Sequence, residues 1–195
     1  MASAPKVLLI GGIWDNDKKL AAIAAALRAS GRVPVLHQLV PCNGSAPISE
    51  LAQQVARAID SVSPNSKVDI LGFSMGALVV RYYIQRLGGR ERVRRFISMA
   101  GPHSGTHTAW FMSVPGVRDM RPGSALLRDL ASDMHPWGDV DVHTILTPFD
   151  TMIVPATSSR LAGVKSHTTI PALLHRLLAN DTRVIKRVLE ILNGD

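Results

Sequence analysis

Cysteine is almost missing from this chain. Cys42 is the only one among 195 residues, so no intrachain disulfide can form. None is needed, because a chain of this length can bury roughly 70% of the surface its unfolded form exposes. Long hydrophobic runs are missing too. No stretch approaches the roughly 20 apolar residues that span a bilayer, and the start, MASAPKVLLIGGIWDN, lacks a basic segment followed by an apolar one and a cleavage site. The expectation is a soluble protein, cytoplasmic as written and secreted if the chain is a mature form. Acidic residues are outnumbered, 15 against 22 Lys and Arg, which leaves a net charge of +7. The densest basic run, Arg90-Glu91-Arg92-Val93-Arg94-Arg95, has no interleaved aromatics. It reads as a solvated loop, with an anionic lipid or polyanion surface as the other reading, and no nucleic-acid partner is expected.

What is present is an alternation of short apolar runs and helical patterns. Val7 to Ile10, Val33 to Leu39, Val68 to Leu71, Phe96 to Ala100, Val140 to Leu146 and Val164 to Ile170 read as six strands. Helices are expected at Asp17 to Ser30, Ile48 to Ser61, Met75 to Leu87 and Asp181 to Leu192, the last capped by Asn180 or Asp181. Residues 101–139 form a cap-like excursion with one short helix, Ala125 to Ala131, inside a single domain spanning 1–195. Strands alternating with helices imply an α/β fold: about six strands, mostly parallel, with helices on both faces. In such sheets ligands bind beyond the carboxyl ends of the strands.

Beyond the third strand stands Gly72-Phe73-Ser74-Met75-Gly76, and a helix starts at once. This is G-x-S-x-G in the strand–turn–helix setting that lifts a serine hydroxyl above the sheet. The flanking positions must be small because strand and helix nearly touch there. A serine nucleophile needs a base, and the base an orienting acid. Asp150 follows the fifth strand on the side expected of Ser74, whereas Asp139 and Asp141 sit at that strand's other end and Asp133 reads as surface charge. His175, in the loop beyond the sixth strand, is the preferred base over His167, which lies inside that strand. Met75, next to the serine, and Ile13, after Gly11-Gly12, are the candidate backbone donors for an oxyanion. No metal or organic cofactor is expected: His103 and His107 stand four apart, but in a Pro- and Gly-rich loop without a nearby carboxylate.

These residues, with Leu8-Leu9-Ile10-Gly11-Gly12, Arg81-Tyr82-Tyr83, the segment Ile97 to Thr106, Asp150 to Pro155 and His175-Arg176-Leu177-Leu178, resemble an α/β-hydrolase of the triacylglycerol lipase class 2 type, close to the minimal lid-less bacterial lipases. The resemblance runs over most of the chain. It implies Ser74 as nucleophile, Asp150 as acid, His175 as base, and Ile13 with Met75 as the oxyanion hole. It departs at Gly11, where that family carries a histidine that braces the oxyanion loop. The segment Pro102 to Thr106 is read as a structural turn lining the cleft.

The expected activity is hydrolysis of acyl esters through an acyl-serine, on a small-molecule ester or lipid. Trp14, Trp110, Phe111, Met152 and Ile153 are candidates for the apolar substrate wall, as are Met112, Val114 and Val117, each of which could equally be core packing. The same residues would serve a thioesterase, acyltransferase or amidase. A non-catalytic lipid-binding protein of this fold is the reading from another class. Peripheral contact with lipid surfaces stays open, as do chain-length preference and oligomeric state.

Overall fold

The computed structural model describes residues 4–15 and 18–194. Six strands form one sheet: β1 (Lys6–Ile10), β2 (Val33–His37), β3 (Val68–Phe73), β4 (Val93–Met99), β5 (Asp141–Leu146) and β6 (Ser166–Thr169). Their order is β2-β1-β3-β4-β5-β6, and every pairing is parallel, where a mostly parallel sheet was expected. The helices are α1 (Ala21–Ala29), α2 (Ile48–Val62), α3 (Met75–Arg86), α4 (Pro115–Asp119), α5 (Ala125–Ala131) and α6 (Thr182–Asn193). The expected start of the first helix at Asp17 lies outside the described residues. Asp181 caps α6, its carboxylate accepting from the Arg183 N–H. No helix among the described residues is long and apolar enough to cross a membrane.

Successive side chains of a strand point to opposite faces, and here both faces are covered. Leu8 and Ile10 pack with α2 and α3 residues such as Leu51, Val55 and Leu78. Val7 and Leu9 pack on the other face with Ile23 and Leu27 of α1 and Val184 and Val188 of α6. That is why the strands read as continuous apolar runs instead of alternating ones. Leu51, Val55 and Ile59 form a single buried stripe along α2.

The chain lays β2 at one edge and returns to place β3 on the far side of β1. Connections therefore diverge above β1 and β3, a topological switch point where a crevice opens. Between β4 and β5 the excursion holds α5 within the expected bounds. It also holds α4 and a 3-10 turn at His107–Phe111 that lack any strong local signal. Asp133, expected as a surface charge, is a hub instead. Its side chain is 12% exposed and binds Arg86 and Arg90, while Gln85 donates to it at 3.0 Å, tying the excursion to α3.

Candidate active site

Ser74 stands between β3 and α3 with φ 57° and ψ −126°. A non-glycine residue with positive φ costs about 1–3 kcal/mol and persists only where its surroundings impose it. Here the Ser74 N–H is tied to Met99 O at 2.9 Å, and the crowding leaves no room for side chains at the glycines. A Cβ on Gly72 would lie 2.7 Å from Ala77 Cα, and one on Gly76 would run into the carbonyl oxygen of Gly11. Trp14 (φ 55°), Ala100 (φ 50°) and Leu174 (φ 68°) are the other non-glycine residues of this kind among those described. All four lie beyond the carboxyl ends of strands, so the strain gathers at one edge of the sheet.

His175 opens a 3-10 turn after β6 and is 4% exposed. Its Nδ1 is 2.8 Å from Asp150 Oδ2, and its ring stacks on Phe73 at 4.8 Å between centroids. A carboxylate at Nδ1 holds the proton there and leaves Nε2 as the basic nitrogen. Asp150 is itself held, because Oδ1 accepts the N–H groups of Met152 at 2.9 Å and Ile153 at 2.8 Å. His167 is bound elsewhere, its Nδ1 2.7 Å from Thr144 Oγ1. Asp141 pairs with Lys165 at the far end of β5.

Ser74, His175, Ile13, Trp14, Asp15, Phe73, Met152 and Arg176 line one cleft of about 280 Å³. No hydrogen bond joins Ser74 Oγ to His175; such contacts often tighten only when substrate is bound. Among the described residues the N–H groups of Ile13 and Met75 have no acceptor. Met75 is the first residue of α3, whose N-terminal N–H groups lack partners within the helix. Two unpaired donors, a strained serine and an imidazole held by a carboxylate are the parts that acyl transfer requires.

The loop after β1 has no histidine brace, and Asp15 supplies one. Its Oδ2 accepts the Gly12 N–H at 2.7 Å, while Trp14 N–H bonds Cys42 O at 2.8 Å. Asp15 is not among the residues expected from the sequence, since its carboxylate reaches three residues back to Gly12 and not two residues onward as in an Asx-turn.

The proposed substrate wall divides. A second, mostly apolar hollow shares Ile13, Trp14 and Met152 with the first and adds Phe111, Met112 and Val117. Trp110 lies beside it, exposed, with the Arg121 guanidinium 4.5 Å above its ring. Ile153 does not line the cleft. It is 3% exposed and contributes its N–H to Asp150, because the turn at 150–153 points its side chain inward. Val114 packs against the core. His103 is buried, its Nε2 2.6 Å from Ser98 Oγ, and burial holds it neutral. No three His, Cys, Asp or Glu side chains among the described residues gather where a metal could sit.

Residues 7–135 match the family model of palmitoyl protein thioesterase. Among solved structures, the mature form of the Bacillus licheniformis lipase BlEst2 is similar at a TM-score of 0.81 and 13% identity, covering 98% of this chain and 93% of that one. The bromoperoxidase of Bacillus anthracis is similar at 0.75 and 12% identity, covering 100% and 93%. Polyneuridine aldehyde esterase is similar at 0.67 and 16%, covering 97% and 100%. At such identities the likeness concerns the fold alone, which is that of the α/β-hydrolases. No curated protein matches the chain. The resemblance read from the sequence therefore holds at the level of the α/β-hydrolase superfamily and does not reach the triacylglycerol lipase class 2 family.

Proposed function

The chain belongs to the palmitoyl protein thioesterase family, and on that premise we propose that it hydrolyses acyl esters through an acyl-serine formed on Ser74. The observation that carries the reading is the buried His175–Asp150 pair at 2.8 Å, whose imidazole lines one cleft with a strained serine. Ser74 Oγ attacks the carbonyl carbon while His175 Nε2 takes its proton. The carbonyl oxygen, now negative, receives the N–H groups of Met75 and Ile13, each worth about 2.7–4 kcal/mol of barrier. The imidazolium gives its proton to the leaving group, and Asp150 steadies the charge at Nδ1. Water then attacks the acyl-serine with His175 again as base. No step calls on a metal or organic cofactor. The acyl chain fits the apolar hollow that continues from the cleft past Trp14, Met152 and Phe111.

The family match favours a second reading of the leaving group, a thiolate in place of an alkoxide. The same residues serve both. The test is turnover of p-nitrophenyl esters from butyrate to palmitate, beside an acyl thioester series followed by thiol release, with native protein and Ser74→Ala. Native turnover with none in the variant, at unchanged circular dichroism, supports the acyl-serine, and the ratio of the two series separates esterase from thioesterase. Equal activity in both proteins, or none in the native one on either series, defeats the reading.

A further inference from the structure

Thirteen large apolar side chains are exposed among the described residues, and ten of them come after the carboxyl ends of strands. Only Val33, Leu87 and Met134 belong to the opposite edge of the sheet. Trp14 comes from the loop after β1, Trp110 and Phe111 from the excursion after β4, and Phe149 and Met152 from the loop after β5. Leu173, Leu174 and Leu177 flank His175. Phe111 is 88% exposed, more than packing against its own chain would leave. Single exposed apolar residues are ordinary, but a set gathered round one opening marks a contact surface.

Among the described residues, cations outnumber carboxylates around this opening. Arg176 lines the cleft between Leu174 and Leu177, the Lys19 ammonium reaches its carbonyl at 2.7 Å, and Arg121 lies over Trp110. Asp15 is the one carboxylate lining the two hollows, and its Oδ2 already accepts from Gly12. At the other edge three arginines of the dense basic run are paired, Arg90 with Asp133, Arg92 with Asp60 and Arg94 with Asp69, and Arg95 is buried. Lys19, Arg121 and Arg176 thus set cations beside the exposed apolar side chains of the mouth. Tryptophan and arginine among aliphatic side chains suit the boundary between lipid headgroups and acyl chains, where rings enter and cationic heads stay wet.

We infer that the mouth of the cleft docks on an anionic lipid bilayer, with Trp14, Trp110, Phe111 and the 173–177 segment entering the headgroup layer. The inference deepens the acyl-ester reading, since a chain leaving the bilayer at this face enters the apolar hollow directly. Its test is independent of that reading, because it uses Ser74→Ala protein, which the proposed chemistry leaves inert.

The protein is sedimented with vesicles of equal phosphatidylglycerol and phosphatidylcholine, and with vesicles of phosphatidylcholine alone, at about 0.1 M salt. Retention should be roughly tenfold stronger on the anionic vesicles. Adding Leu173→Glu and Leu177→Glu, neither of which lines the cleft, should abolish it. Met134→Glu, at the opposite edge, should leave it intact. The Leu173→Glu/Leu177→Glu pair on a native background should keep hydrolysis of soluble p-nitrophenyl butyrate. Equal retention on both vesicles, retention unaffected by the leucine substitutions, or an equal loss in Met134→Glu would overturn the inference. So would a native dimer that the leucine substitutions convert to monomer, which would make this face a contact between two copies of the chain.

Discussion

Gly12→Ala is the most exposing perturbation of the proposed oxyanion hole. A Cβ on Gly12 would lie 2.8 Å from Ser74 Cβ, 3.1 Å from Asp15 Oδ2 and 3.2 Å from Phe73 O. Carbon atoms rest at about 3.5–4.0 Å, so the loop must move about 1 Å away from the serine. Gly12 is not among the glycines with positive φ, so the left-handed penalty does not arise there. The strain therefore appears as displacement of the loop that carries Ile13. An oxyanion donor acts within about 2.7–3.1 Å, so such a shift removes one, and kcat should fall by about 10²–10³ with KM little changed. Stability should fall by only about 1–3 kcal/mol. Gly31→Ala is the control: at φ 80° with nothing within 4 Å, it should cost about 1–2 kcal/mol of stability and leave kcat alone. Steady-state kinetics on p-nitrophenyl butyrate, with urea denaturation, reads both. A Gly12→Ala protein with kcat within about threefold of native would refute a hole built on Ile13.

His175→Ala should lower kcat by roughly 10⁴-fold or more, while His167→Ala, which loses only a bond to Thr144, should stay near native. Inverted outcomes would move the base into β6. Asp150→Asn keeps the shape but presents an amide to Nδ1, and about 10⁴-fold should be lost in kcat; retention of native turnover would strip Asp150 of its role. Acid should destabilise the fold. Burial lowers the pKa of His143 to about 4 and that of His103 well below its ordinary value. Below the ordinary histidine value of about 6.5, the unfolded chain binds more protons than the folded one, so stability falls as pH drops toward 4. Urea midpoints at about pH 7 and about pH 5 should show the decline, and an unchanged or rising midpoint would contradict it.

The strands, α3 and its serine turn were legible because the rules that make them are local. Apolar runs between glycines, helical spacing and G-x-S-x-G all act within a few residues. Asp150 and His175 were reachable because a parallel sheet gathers the loops beyond its strands at one edge, so strand counting substitutes for distance. Asp133 was not, since its partners on α3 and beyond are more than 40 residues away and nothing near it reports them. Ile153 failed for a different reason: the tight turn around the Asp150 carboxylate breaks any periodicity by which its burial could be read. Asp15 carries no Asx-turn signature, because its carboxylate bonds backward to Gly12 and not two residues onward.

The proposed chemistry turns on Ser74 as an activated nucleophile. Labelling native protein with a fluorophosphonate, followed by mass mapping of the adduct, addresses this without knowledge of the substrate. The expected result is one adduct, on the peptide containing Ser74, absent from Ser74→Ala and strongly slowed in His175→Ala. An adduct on another serine, or a folded protein that takes up no label, would contradict it.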